Sequence, residues 1–184
     1  MDYGRQCYDR YRSGDDSALV ELMDMFADGL TLYLNSIVHD ISLAEELTEE
    51  AFFRISVNKP PFFARSAFKT WLYAIGRNAA MDWLRRNSRF SGTPVEDYRT
   101  LSDETDLEQS YIRKEQMILL HRAIEKLPDD YRQVLHLFYF ENFDTAQTAR
   151  IMDRSAKQVS NLLFRAKASL RKQLEKEGFS YEVT

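Results

Sequence analysis

Two helix starts eleven residues apart constrain this chain more than anything else in it. Asp144-x-x-Gln147 and Ser155-x-x-Gln158 are both capping boxes, patterns in which a short oxygen-bearing side chain and an amide three residues on satisfy each other's orphan backbone donors. They predict two helical segments, Asp144 to Met152 and Ser155 to Leu170, separated by the tight turn Asp153-Arg154. That arrangement reads as a helix-turn-helix and points to duplex DNA. In the second segment Val159, Leu162, Leu163, Ala166 and Leu170 recur at helical spacing and make one apolar stripe. Lys157, Asn161, Phe164 and Arg165 fall near the opposite side, and a polar face carrying an aromatic suits a reading surface.

Charge alternates along the chain in a way the net value of −4 conceals. Residues 1–53 hold three basic and twelve acidic side chains, net −9, and residues 54–90 hold eight basic and one acidic, net +7. Residues 91–130 carry five basic and ten acidic, net −5, whereas 150–172 carry seven basic and one acidic, net +6. A solvated face explains any single block, but the second basic block coincides with the helix-turn-helix, which favours phosphate contact.

Several classes drop out. The one cysteine, Cys7, forms no internal disulfide, and His39, His121 and His136 share no ligand spacing with it, so a reducing interior without structural zinc is expected. No apolar run approaches the roughly 20 residues of a membrane span, and the N-terminus lacks a signal-peptide core, so membrane insertion is not expected and a cytoplasmic location is. There is no glycine-rich phosphate loop, no Cys/His cluster and no nucleophile motif. Neither catalysis nor a bound cofactor or metal is expected.

The organisation follows from where periodicity is lost. Residues 91–110 lose it and gain Gly92, Pro94 and many acids, which reads as a linker. Before it, Ser42-x-x-Glu45 predicts the cap of a helix with Ala44, Leu47, Ala51 and Ile55 on one face. Lys59-Pro60-Pro61 ends that helix, and the prolines make 59–65 a loop. A helix from about Ser66 to Asn87 packs Phe68, Leu72, Ile75, Ala79 and Trp83, and residues 16–40 hold at least one more. After the linker, Gln109 to Leu127 is helical with Leu120, Ala123, Ile124 and Leu127 on one side, and Pro128-Asp129-Asp130 starts a helix continuing to Phe140. The fold class is all-α: two small helical domains, 1–90 and 111–178, joined by an acidic flexible linker at 91–110, the second with the helix-turn-helix.

Three stretches in this order, AEELTEEAFFRI at 44–55, SAFKTWLYAIGRNAAMDWLRR at 66–86 and LPDDYRQVLHLFYFENFDTAQTARIMDRSAKQVSNLLFRAKASLRK at 127–172, resemble a bacterial RNA polymerase sigma factor of the extracytoplasmic-function group. The resemblance implies a transcription initiation factor that directs core polymerase to promoters and opens them. Its implied partners are core RNA polymerase, through the clamp coiled coil and the flap, promoter DNA, and an anti-sigma factor.

It also assigns residues. The helix at 44–57 faces the clamp, with Glu45, Glu46, Leu47, Glu49, Glu50 and Phe53 as polymerase-binding candidates. The loop at 62–66 with Asn78 captures a base flipped from the minus-ten strand; Phe62 and Phe63 are the aromatics offered to it, with a hydrophobic lid over the first domain as their alternative role. Lys59, Arg65, Lys69, Arg77, Arg85 and Arg86 are candidates for the strand's phosphates, while Trp71 and Trp83 are assigned to core packing. Minus-thirty-five recognition falls to Lys157, Gln158, Ser160, Asn161, Phe164, Arg165 and Lys167, where an amide can pair with adenine, a cation with guanine, and Phe can touch a thymine methyl. Departures mark this chain: Asp153 where relatives often place Gly, Ser160 and Leu162 where basic residues are common, Phe138-Tyr139 where an Arg is frequent, and Glu49 in place of a frequent Gln. Two other readings stay open on residues alone, a stand-alone helix-turn-helix repressor or activator and a helical protein-interaction module.

Overall fold

One carboxylate starts two helices. Asp2 caps α1 (Tyr3–Arg12), accepting the Arg5 N–H at 3.2 Å, and its other oxygen accepts the Phe68 N–H at 2.7 Å where α4 (Phe68–Asn87) begins. Helix N-termini carry unsatisfied N–H groups and partial positive charge, so a shared anion joins the two ends. The computed structural model describes the backbone of residues 2–60, 62, 66–87 and 109–177, and the side chains of all of these except 109–116. Within this set every element is helical, in keeping with the all-α expectation.

Between α1 and α4 run α2 (Ser17–Val38) and α3 (Ile41–Asn58). The α3 cap is Asp40, not the expected Ser42: Asp40 has extended backbone that aims its carboxylate at the Leu43 N–H, 3.1 Å away, and Ser42 already lies inside the helix. Ala44, Leu47, Ala51 and Ile55 are all buried, as their spacing predicts. α1 has no counterpart in the sequence reading. It fills the core with Cys7, Tyr8 and Tyr11, and the hydroxyls of Tyr8 and Tyr11 donate to the Pro60 and Ser56 carbonyls at 2.9 and 3.1 Å, tying α1 to the end of α3. Fully burying side chains of this size contributes roughly 1.5–3 kcal/mol each.

The second half comprises α5 (Gln109–Glu125), α6 (Asp129–Leu135), a π-helical turn (His136–Phe140), α7 (Thr145–Met152) and α8 (Ala156–Lys176). The expected continuous helix to Phe140 is thus interrupted. The Glu141 N–H reaches back five residues to the His136 carbonyl at 3.1 Å, and this wider turn leaves Tyr139 and Phe140 exposed while Leu137 is buried. Asn142 then takes left-handed backbone (φ 56°) and Phe143 turns into the core.

α8 packs on α5, α6 and α7. The two halves also pack on each other, α7 against α4 and α6 against α2, so that buried side chains of both form one continuous apolar cluster. The linker expected at 91–110 falls, through residue 108, outside the described residues.

Candidate nucleic-acid interface

Both capping boxes form as the sequence predicts. At α7 the Gln147 N–H donates to Asp144 Oδ1 at 2.7 Å and the Asp144 N–H to Gln147 Oε1 at 2.9 Å; at α8 the Gln158 N–H donates to Ser155 Oγ at 3.2 Å and the Ser155 N–H to Gln158 Oε1 at 2.8 Å. Asp153 turns the chain between them with left-handed backbone (φ 53°), and the neighbouring Arg154 pairs with Asp130 of α6. α8 is therefore fixed at its start by its own side chains and held to α6 through the turn before it.

α8 has two faces. Val159, Leu163 and Ala166 are buried and Leu162 and Leu170 partly so, whereas Lys157, Gln158, Ser160, Asn161, Phe164, Arg165 and Lys167 are all exposed. Phe164, at 76% exposure, is the most open of the exposed large apolar side chains among the described residues. Gln158 is a different case from its neighbours: its carbonyl oxygen is engaged in the cap, which leaves its amide N–H groups for any base edge. Lys167 Nζ lies 5.4 Å from the Tyr139 ring centroid and 5.9 Å from that of Phe138, so this aromatic pair cradles a cation from α8.

On α4 the candidates separate. Asn78, Arg85 and Arg86 are exposed, with Arg85 3.2 Å from Asp82 and Arg86 Nε donating to the Asp82 carbonyl. Phe63 and Arg65 lie outside the described residues. Phe62 takes the lid arrangement rather than an open one: its ring sits 5.3 Å from Trp71 and 6.1 Å from Phe68, in a cluster that also holds Tyr8. Trp71 and Trp83 pack against the core, as expected. Lys59 lies over the Tyr11 ring at 4.3 Å.

Lys69 and Arg77 depart from the expectation of cations open to phosphate. Each is bound by the other half of the chain. Lys69 Nζ pairs with Glu141 Oε2 at 2.8 Å and donates to the Glu141 carbonyl at 3.0 Å; Arg77, buried, donates through Nε to Gln133 Oε1 at 3.1 Å. Tyr73, one turn from each, donates its hydroxyl to Glu141 Oε2 at 2.6 Å. Burial alone raises the Glu141 carboxyl, but the His136, Lys69 and Tyr73 side chains outweigh it and hold the group down at about 2. No spacing rule in the sequence marks Glu141, whose α4 partners lie some seventy positions away.

The acidic face of α3 divides in the same way. Glu45, Glu46 and Glu49 are exposed, and Glu50 is half-buried against Arg54 at 2.5 Å. Leu47 is only 3% exposed and belongs to the core, so it cannot meet a docked protein directly; the apolar contact the face offers is Phe53, 64% exposed, beside Val57, which the sequence reading missed. The signal for Val57 was present in its spacing, four residues after Phe53.

The comparisons with known proteins agree with this layout. Residues 22–90 match the family model for sigma-70 region 2, and residues 117–170 match that for sigma-70 region 4. SigW, an extracytoplasmic-function RNA polymerase sigma factor of Bacillus subtilis, is 27% identical over 172 residues, 89% of this chain and 92% of its own. The RNA polymerase sigma-H factor of Pseudomonas aeruginosa is 29% identical over 180 residues, 93% of each chain. In fold, the chain resembles CnrH in its complex with the cytosolic domain of CnrY, with a TM-score of 0.69 at 19% identity over 95% of this chain and 99% of that one. It also resembles the sigma factor RpoE of Bartonella quintana bound to the anti-sigma factor NepR, with a TM-score of 0.69 at 19% identity over 84% and 95%. This chain belongs to the sigma-70 family of RNA polymerase sigma factors, in its extracytoplasmic-function group. It is a transcription initiation factor, with core RNA polymerase and promoter DNA as its partners. Among the described residues no helix is long and apolar enough to cross a membrane, and no group of three or more His, Cys, Asp or Glu side chains is placed to hold a metal.

Proposed function

We propose that this sigma factor divides promoter recognition between its halves. The exposed face of α8, with Lys157, Ser160, Asn161, Phe164, Arg165 and Lys167, reads the minus-thirty-five element from the major groove; the α4 half, with Asn78, Arg85, Arg86 and the loop at 62–66, captures the melted minus-ten strand. The exposed glutamates of α3 with Phe53 and Val57 dock on the polymerase clamp, and the second half meets the flap. The observation that carries this reading is the two-sidedness of α8: every reading candidate is exposed while Val159, Leu163 and Ala166 are buried.

Chemistry then belongs to the polymerase, and this chain works in the cytoplasm by positioning alone. Stacking a flipped base on an aromatic recovers roughly 1–3 kcal/mol, which offsets a few kcal/mol of unstacking. For the melting half to use Phe62 in this way, its ring must leave Trp71. An anti-sigma factor is a further proposed partner, since the sigma factor RpoE, similar in fold, was captured in complex with the anti-sigma factor NepR.

The test is in-vitro transcription with purified core enzyme over a random promoter library. Start sites that depend on this chain, with enriched sequence both upstream and at the melted segment, support the division. Binding to duplex promoter as a dimer in the absence of core, with no redirected starts, would establish a stand-alone repressor or activator instead.

A further inference from the structure

The joint between the halves is built around one carboxylate. Lys69, Tyr73 and Arg77 stand at i, i+4 and i+8 on α4 and so form one stripe, and that stripe faces the helix-turn-helix half. Glu141, just before α7, meets two of the three: Lys69 at 2.8 Å and Tyr73 at 2.6 Å on the same oxygen, with His136 3.7 Å from the other. Gln133 of α6 takes the third, Arg77. α2 is shaped to the same group, since a Cβ on Gly29 would lie 3.0 Å from Glu141 Oε1 and 2.6 Å from the Tyr73 hydroxyl. A buried carboxylate is tolerated only where charge and hydrogen bonds meet its oxygens, and here an ammonium and a phenol do.

We propose that Glu141 is an internal stand-in for a DNA phosphate, and that the α4 stripe binds either this segment of the chain or a nucleic-acid backbone but not both. The inference rests on the reading above that this half grips the melted strand. Lys69 Nζ, the Tyr73 hydroxyl and the Arg77 guanidinium are donors in a row, the set an extended oxyanion backbone requires, and an amide oxygen and a carboxylate occupy them in the closed chain. Strand binding at the stripe therefore requires the two halves to part. The apparent affinity of the free chain is reduced by the fraction of molecules that are open, and weakening the Glu141 contacts removes that handicap.

The experiment uses the full chain and a fluorescein-labelled mixed-sequence single-stranded oligonucleotide, with anisotropy for affinity and small-angle scattering for the separation of the halves. Glu141→Gln keeps the shape and removes the charge; Tyr73→Phe keeps the ring and removes one donor, and decides the matter if the first variant loses its helical circular dichroism. Each is expected to expand the chain and, for Glu141→Gln, to tighten oligonucleotide binding about tenfold, the effect of opening a chain closed in about nine molecules of ten. Unchanged affinity and unchanged radius of gyration would overturn the proposal, as would expansion with no gain in affinity. Core-dependent transcription by the wild-type chain is measured alongside. Its absence removes the sigma-factor division of labour and leaves the latch standing, whereas transcription with no response to Glu141→Gln removes the latch and leaves that division standing.

Discussion

Arg77 donates to Gln133 at 3.1 Å across the two halves of the chain, and both side chains are buried. A guanidinium so placed depends on its acceptor, because the desolvation of a charged donor is recovered only through the bond it makes. Gln133→Leu is expected to cost about 2 kcal/mol in urea unfolding, the range for hydrogen bonds to charged groups. Combining it with Arg77→Met should recover part of that loss, because an apolar pair leaves nothing unsatisfied. Additive losses in the double variant would show that the two residues act separately.

Gly29→Ala tests how closely the halves approach. Alanine in mid-helix ordinarily adds about 1 kcal/mol over glycine. Here its Cβ would meet the Tyr73 hydroxyl at 2.6 Å, inside any tolerated contact, and Glu141 at 3.0 Å, so the variant should lose stability by about 1–3 kcal/mol. A raised melting temperature in Gly29→Ala would mean that α2 and Glu141 do not meet this closely.

Glu141 also predicts a response to acid. Its carboxyl is held at about 2 against an ordinary 4.5 by His136, Lys69 and Tyr73, which overcome the opposing effect of burial. Because the value in the closed chain is the lower one, the stabilisation is complete above about pH 4.5 and is lost progressively as the pH falls toward 2. Wild type should therefore lose on the order of 2–3 kcal/mol relative to Glu141→Gln over that window, seen as converging urea midpoints. Parallel pH profiles for the two would contradict the assignment.

What the sequence made legible, and what it hid, follows from the range of the interactions. The capping boxes of α7 and α8 involve residues three apart, and both were readable to the atom. The buried stripe of α8 was readable as well, since helical spacing alone decides which side chains share a face. α1 escaped because its core contribution, Cys7, Tyr8 and Tyr11, is too short to show a period. The π turn escaped because its wider hydrogen bond leaves no compositional mark. Lys69 and Arg77 look like any exposed helical cations in one dimension, and only the docking of α6 and the turn before α7 onto α4 engages them. Leu47 sits among glutamates that the family resemblance assigns to the clamp, yet its spacing with Ala44, Ala51 and Ile55 puts it in the core, where the structure buries it.

Phe164 separates reading from folding. At 76% exposure on α8 it buries too little surface to matter for the fold, so Phe164→Ala should change unfolding free energy by less than about 0.5 kcal/mol. A thymine methyl in the major groove offers an apolar contact to a side chain at this position, and a lost base contact costs about 1–3 kcal/mol of discrimination. The variant should thus direct core enzyme from its promoters with roughly tenfold less preference at one upstream base pair while transcribing equally from templates altered there. Retained preference at every upstream position, in a variant of unchanged stability, would remove Phe164 from the reading face and leave the polar residues Lys157, Ser160, Asn161 and Arg165 to account for specificity.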